Sequence, residues 1–216
     1  MSAPFEAVLF DFDGVLMDSE PVHYDCWREL LAPLGIELGW PEFSRKYIGV
    51  ADPEMLRSIA EKAADGTTIG QLLELLPRKR RMFLDRISAA PPIAADLHAM
   101  LAALSHLRLA VVTSSDRSEV DPVLAAIGIR DRFVALVCGG DVARGKPSPD
   151  PYLKAAELLN VSTAIVVEDS DTGVASARAA GLEVIRVSGP EQVWPALRLR
   201  LGFQSEARLG RMDAIR

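Results

Sequence analysis

The chain has 216 residues, enough for one full-sized domain and a smaller companion. Its 49% hydrophobic and 25% charged composition is that of an ordinary globular protein, and a net charge of −6 argues against any general affinity for nucleic acid or anionic membranes. Cys26 and Cys138 are the only cysteines; they make neither a metal-ligand spacing nor a disulfide framework. With no signal-like start and no run of about 18 apolar residues, a cytoplasmic protein is expected.

The first predicted element is an apolar run, FEAVLF (5–10), ending in DFDGV (11–15). Four more runs of this kind follow: LRLAVVT (107–113), FVALVC (133–138), TAIVVE (163–168) and LEVIRV (182–187). All lack the polar alternation of a half-exposed strand, which suits strands buried on both faces of a parallel sheet. Helical patterns at 117–127, 150–159 and 171–180 separate the last four. The alternation predicts a doubly wound α/β sheet.

The gap between the first and second strands is too long for an ordinary crossover. It reads as helices within 22–35, 52–64 and 69–87, punctuated by Gly35, Pro41, Gly66 and Pro91-Pro92, before a helix at 95–107 rejoins the sheet. The expected organisation is a helical insert at 18–89 and a sheet domain of 1–17 with 90–216. The Arg-rich stretch 198–216 has no strong pattern.

Ligands of parallel sheets sit beyond the carboxyl ends of the strands, so the residues after each run carry the functional reading. Asp11 and Asp13, two apart on an extended chain, face one way, and so close a pair calls for a cation or a proton between them. Thr113, Ser114 and Ser115 follow the second run, with hydroxyls and amides suited to a phosphate. Lys146 lies in GKPSPDPY (145–152) after the third, and Glu168, Asp169 and Asp171 follow the fourth. Hard oxygen ligands suit Mg²⁺ together with a substrate phosphate. With Mg²⁺ and Lys146 offsetting the phosphoryl charge, Asp11 can act as nucleophile while Asp13 protonates the leaving oxygen and then activates water.

DFDGV, the Thr113 loop, GKPSPDPY and VVEDSDTGVASARAAG (166–181) occur in the order of the haloacid dehalogenase-like phosphotransferase superfamily, which this sequence strongly resembles over nearly its whole length. The resemblance implies a Rossmann-like core and an aspartyl phosphate on Asp11. It makes Asp13 the acid/base and, through its carbonyl, a metal ligand. Thr113 and the Ser114 amide then hold the phosphoryl group, Lys146 bridges it to Asp11, Asp169 ligates Mg²⁺, and Glu168 does so directly or through water.

The insert is similar to the helical cap of the β-phosphoglucomutase-like branch, with MDSEPVHYDCW (17–27) matching its start. His23 is open between helix packing and substrate contact, and Asp171 between a helix-capping residue and a ligand. Trp27 reads as cap core, His98 and His106 as structural residues, and RKRR (78–81) as a solvated helix face from which one arginine could meet an anionic substrate. Asp52 stands where mutases of the branch are expected to carry a phosphate-binding arginine, which favours hydrolysis unless Arg45, Arg57 or Arg78 reaches the same space.

The expected activity is therefore a Mg²⁺-dependent phosphatase acting, as a monomer, on a small phosphorylated metabolite, most plausibly a sugar phosphate. The alternatives are a sugar-phosphate mutase, a receiver-type phospho-accepting protein, for which Asp13 and the insert have no use, and a catalytically silent binding protein.

Overall fold

The computed structural model describes residues 5–62 and 66–203. Five strands, β1 (Ala7–Phe10), β2 (Arg108–Asp116), β3 (Ala135–Gly139), β4 (Ala164–Glu168) and β5 (Glu183–Arg186), form one parallel sheet in the order β3-β2-β1-β4-β5. β1 is central, registered through Leu9 opposite Ala110 on one side and Val166 on the other. The chain runs outward from β1 to β3, then returns to place β4 on the far side of β1. That reversal opens a crevice at the carboxyl ends of β1 and β4.

The apolar runs form central strands because both of their faces are covered. Val8, Phe10, Val111, Ile165 and Val167 belong to one buried cluster, which includes Leu97, Met100 and Leu101 of α6 (Leu97–Ala103) and Val120 and Leu124 of α7 (Arg117–Ala126). Leu9, Val112 and Val166 belong to the other cluster, with Tyr152 and Ala155 of α8 (Asp150–Leu159) and Ala177 of α9 (Asp171–Ala179). A final helix, α10 (Val193–Leu201), covers the first face through Val193 and Leu197. The doubly wound α/β expectation is met strand by strand.

Between β1 and α6 the described residues form five α-helices: α1 (Glu20–Leu31), α2 (Trp40–Lys46), α3 (Asp52–Ala60), α4 (Ile69–Leu73) and α5 (Leu76–Ala89). They enclose an apolar cluster of their own around Trp27, Leu31, Phe43, Met55, Leu56 and Leu72. Cys26, Phe83 and Ile87, on α1 and α5, join the sheet's cluster instead, so these two helices tie the helical lobe to the sheet.

Three details differ from the sequence reading, the first two for a reason carried by proline. Pro41 does not punctuate a loop: it occupies the first turn of α2, where its missing N–H costs nothing. Pro77 does the same for α5, and because it cannot continue a preceding helix, the single helix expected at 69–87 is two. α6 is shorter than the 95–107 pattern, beginning well after Pro91-Pro92 and ending before Leu104. The end of the expected helix at 52–64 and residues 204–216 of the Arg-rich stretch lie outside the described residues. Among the described residues, no helix is long and apolar enough to cross a membrane.

Candidate active site

The carboxyl ends of β1, β2 and β4 and the loop before α8 bring the predicted residues together. Asp11 leaves β1 with its amide still bonded to the Val167 carbonyl (3.0 Å), and its Oδ1 accepts from the Phe12 amide at 2.8 Å. Lys146 Nζ lies 3.0 Å from Asp11 Oδ1 and 2.5 Å from Glu168 Oε1. All three are buried. Burial lowers a lysine's proton affinity, but the two carboxylates outweigh it and hold Lys146 firmly charged.

Glu168 is enclosed by donors. Oε1 accepts from Lys146 and from the Tyr152 hydroxyl (2.8 Å), while Oε2 accepts from the amides of Asp169 (3.0 Å) and Ser170 (3.2 Å) and from Ser170 Oγ (3.1 Å). The carboxylate thus fixes Lys146 and the start of α9 in one arrangement. Ser170, not Asp171, is the N-cap of α9, its side chain accepting from the Gly173 amide. Asp171 points outward to Arg186 and takes no part in the site.

Asp13 makes a different set of contacts. Oδ1 meets His23 Nε2 at 3.0 Å and the Ser19 hydroxyl, and Oδ2 accepts from Ser115 Oγ at 2.5 Å. Its burial favours the neutral form, yet His23 and the two serine hydroxyls hold the carboxyl well below the usual carboxylate range. His23 stacks on Phe83 (ring centroids 4.1 Å apart), which orients the imidazole toward Asp13. His23 thus both packs on Phe83 and lines the cavity.

The other acids are pushed the opposite way. Burial, reinforced by Glu168, lifts Asp11 well above the ordinary range against the pull of Lys146, and the same causes push Asp169 up to about 7. Glu20, at the start of α1, also rises through burial and then through Asp13, Asp169 and Asp11. Five carboxyl groups therefore share a site with one buried lysine. Asp11, Glu168 and Asp169 offer oxygens within 4.8 Å of one another, a hard donor set that fits Mg²⁺ and whose mutual repulsion a cation would relieve. Gly14 leaves the room for this: at φ +71°, a Cβ there would fall 2.2 Å from Asp169 Oδ2.

Asp11 and Asp13 floor a cavity of about 220 Å³ roofed by the helical lobe. Thr113, buried at the end of β2, faces it and accepts from the Ser115 amide at 3.0 Å. Ser114 does more than offer an amide: its hydroxyl donates to the carbonyl of Gly49 in the lobe (3.0 Å), and Thr172 does the same at 3.3 Å. The far wall holds Asp52, Arg80 and Asp116.

The reading of RKRR as a solvated face is corrected here. Lys79 is fully buried, 2.8 Å from Asp52 and 3.1 Å from Glu119, and Arg80 lines the cavity, because this face of α5 is turned toward α7. Arg45, Arg57 and Arg78 are not among the lining residues. Glu20, Ser19, Tyr152 and Lys79 had no role in the sequence reading. Only Tyr152 carried a usable signal, sitting within a motif already singled out.

Parallel topology, an acid pair at the end of the central strand and a lysine held between two carboxylates define a class of phosphoryl-handling hydrolases. The family model described as haloacid dehalogenase-like hydrolase matches residues 8–187, and the chain belongs to that family, where it groups with phosphoric monoester hydrolases. It is 32% identical over 191 residues to Protein CbbY of Rhodobacter capsulatus, covering 83% of this chain and 84% of that protein. It is 31% identical over 183 residues to a phosphorylated carbohydrates phosphatase of Thermotoga maritima, covering 83% of each. The crystal structure of CbbY from Rhodobacter sphaeroides in complex with phosphate superposes with a TM-score of 0.75 at 27% identity, covering 86% of this chain and 87% of that one.

Proposed function

We propose that the protein is a Mg²⁺-dependent phosphatase that hydrolyses a small phosphorylated metabolite, a sugar phosphate, through an aspartyl phosphate on Asp11. The observation that carries this reading is the disposition of the two aspartates. Asp11 faces Lys146 at 3.0 Å and the other acids, while Asp13, two residues on, lines the same cavity and is held ionised by His23, Ser19 and Ser115.

In the first step Asp11 Oδ attacks phosphorus, the bond to the substrate oxygen breaks, and that oxygen takes a proton from Asp13. The free site leaves Asp13 ionised, so the proton is taken up as the anionic phosphoryl group arrives and raises its affinity. In the second step Asp13, again a base, removes a proton from the water that attacks phosphorus, and the Asp11 carboxylate is released. Thr113 and the Ser114 amide hold the phosphoryl oxygens, and Lys146 keeps Asp11 and the phosphoryl group together. Asp11, Asp169 and the Asp13 carbonyl, with Glu168 beside them, would hold the Mg²⁺, which supplies charge neutralisation of the phosphoryl group.

Residues 18–89 act as a cap over a core of 1–17 and 90–216 in this reading. The Gly49 carbonyl, met by Ser114 and Thr172, is the point at which the cap rests on the core and excludes water. Action as a monomer and a cytoplasmic setting are part of the same proposal. Asp52, engaged by Trp27 and Lys79 within the cavity wall, supports hydrolysis over mutase chemistry, since it would repel the second phosphate of a bisphosphate intermediate.

The test is incubation with Mg²⁺, β-glucose 1-phosphate and a trace of glucose 1,6-bisphosphate, alongside a panel of sugar phosphates. Free phosphate without glucose 6-phosphate, abolished in Asp11→Asn and by a chelator, is the expected result. Rapid glucose 6-phosphate formation would replace hydrolysis with isomerisation.

A further inference from the structure

The end of the cavity away from Asp11 has its own chemistry. Asp52, in the first turn of α3, is fixed from behind: Oδ1 accepts from Trp27 Nε1 at 2.7 Å, and Oδ2 lies 2.8 Å from Lys79 Nζ. Asp116, at the end of β2, is fixed by the Ser118 amide at 2.9 Å. Between them stands Arg80. Its Nη2 is 3.4 Å from Asp116 Oδ1, beyond a good hydrogen bond, and its buried Nε has no acceptor among the described residues. Val50, Met55 and Leu76 make the surrounding wall apolar.

The charges at this end do not favour an anion. Asp52, Asp116 and Glu119 face Lys79 and Arg80, leaving one negative charge in excess, and Lys79 is already held by two carboxylates. A second phosphate or a carboxylate placed here would meet Asp52 and Asp116 with only Arg80 to offset them. Hydroxyl groups fit better, because they donate to the fixed carboxylates and accept from the guanidinium.

We infer that this far end is a hydroxyl-reading subsite, which selects the uncharged polyol end of a phosphate monoester and rejects bisphosphates and phosphorylated acids, with Arg80 as the residue that determines specificity. The inference rests on the phosphatase reading above and names the substrate class of the same site. The carboxylates set what is refused, and Arg80, whose donors are poorly met by the protein itself, sets what is preferred.

The test uses the full chain with Mg²⁺ and measures kcat/KM for open-chain polyol phosphates, n-butyl phosphate, fructose 1,6-bisphosphate and phosphoglycolate. Acetyl phosphate, too short to reach the far end, reports on the phosphatase reading alone: if it is not hydrolysed, that reading fails; if it is, the remaining comparisons judge the subsite. The best polyol phosphate should exceed each of the other three by about tenfold or more. Arg80→Ala should compress the ratio between polyol and butyl phosphates to within about threefold, chiefly through KM, and Arg80→Lys should restore part of it. The inference is overturned if the bisphosphate or phosphoglycolate matches the best polyol phosphate, if no polyol phosphate exceeds butyl phosphate, or if Arg80→Ala lowers both esters by the same factor.

Discussion

Lys79 of α5 and Glu119 of α7 form a two-pronged ion pair, Nζ lying 3.1 Å from each carboxylate oxygen, at the junction of the helical lobe and the sheet. The ammonium is fully buried and also 2.8 Å from Asp52. Although its burial favours the neutral amine, the two carboxylates keep it charged. Replacing Lys79 by Met leaves the buried Glu119 and the partly buried Asp52 carboxylates without their cation and should cost about 3–5 kcal/mol of stability. Glu119→Gln keeps the Asp52 contact and should cost about 1–3 kcal/mol. Urea denaturation of both variants checks the order; equal losses would show that Asp52 contributes nothing.

Glu168 acts through what it holds. Glu168→Gln keeps the shape of the side chain but gives up the charge that faces Lys146 and one acceptor of the group satisfied by Tyr152, Asp169 and Ser170. Turnover should fall by about a hundredfold or more, with the larger change in kcat. A variant with wild-type kcat would mean that Lys146 is positioned by Asp11 alone.

Gly49 sits at φ +75°, and a Cβ there would come within 2.6 Å of Ser170 Oγ and 2.7 Å of Thr172 Oγ1. Gly49→Ala should therefore keep the lobe from seating and lower kcat/KM by about tenfold or more, with little change in the far-ultraviolet circular dichroism. Full activity in this variant would remove the Gly49 contact from the catalytic cycle.

The Asp169 carboxyl, pushed up to about 7 by burial and by Glu168, is partly protonated near neutrality before a cation is present. Binding of Mg²⁺ stabilises the ionised form, so protons should be released on binding at pH 6–7, and affinity should weaken as pH falls below that value. Calorimetric titrations in two buffers of different ionisation enthalpy measure the release. Proton uptake, or no exchange at all, would contradict the assignment.

Cys26 and Cys138 are both buried, and burial pushes their thiols up to about 11 and about 12. Neither should react with iodoacetamide at pH 8 until the chain unfolds. Because the folded values lie above the ordinary thiol value of 9.0, unfolded thiols ionise first. The contribution of these residues to stability is complete below about pH 9 and declines as pH rises toward the folded values. Rapid alkylation of native protein would show that one of the two is open to solvent.

The floor of the candidate site was legible because its residues end or follow apolar runs, and a parallel sheet places those run ends side by side. Asp11, Thr113, Lys146, Glu168 and Asp169 all meet through this rule. The roof was not legible in the same way. Lys79 and Arg80 lie in a basic tetrad whose local pattern says solvent, and only the packing of α5 on α7 turns them inward. Glu20 reads as the first residue of a helix, and nothing local says that it faces three other acids. Asp52 was singled out as a departure, but not its bond to Lys79. That bond changes the obvious experiment: Asp52→Arg would place a second cation against a buried lysine, so loss of folding would precede any gain of mutase activity.

The groups that would handle phosphate stand on strand ends, while Asp52 stands on α3, which packs into the separate apolar cluster around Trp27 and Leu56, and Arg80 stands on α5, which also reaches the sheet's cluster through Phe83 and Ile87. Inherited changes in the two parts are thereby partly uncoupled. Changes within α2 or α4 can be made without touching the strand ends. That freedom ends where the lobe meets the floor, at Lys79 on Glu119, at Ser19 and His23 on Asp13, and at Gly49 with Ser114 and Thr172, because a change on either side must be answered on the other.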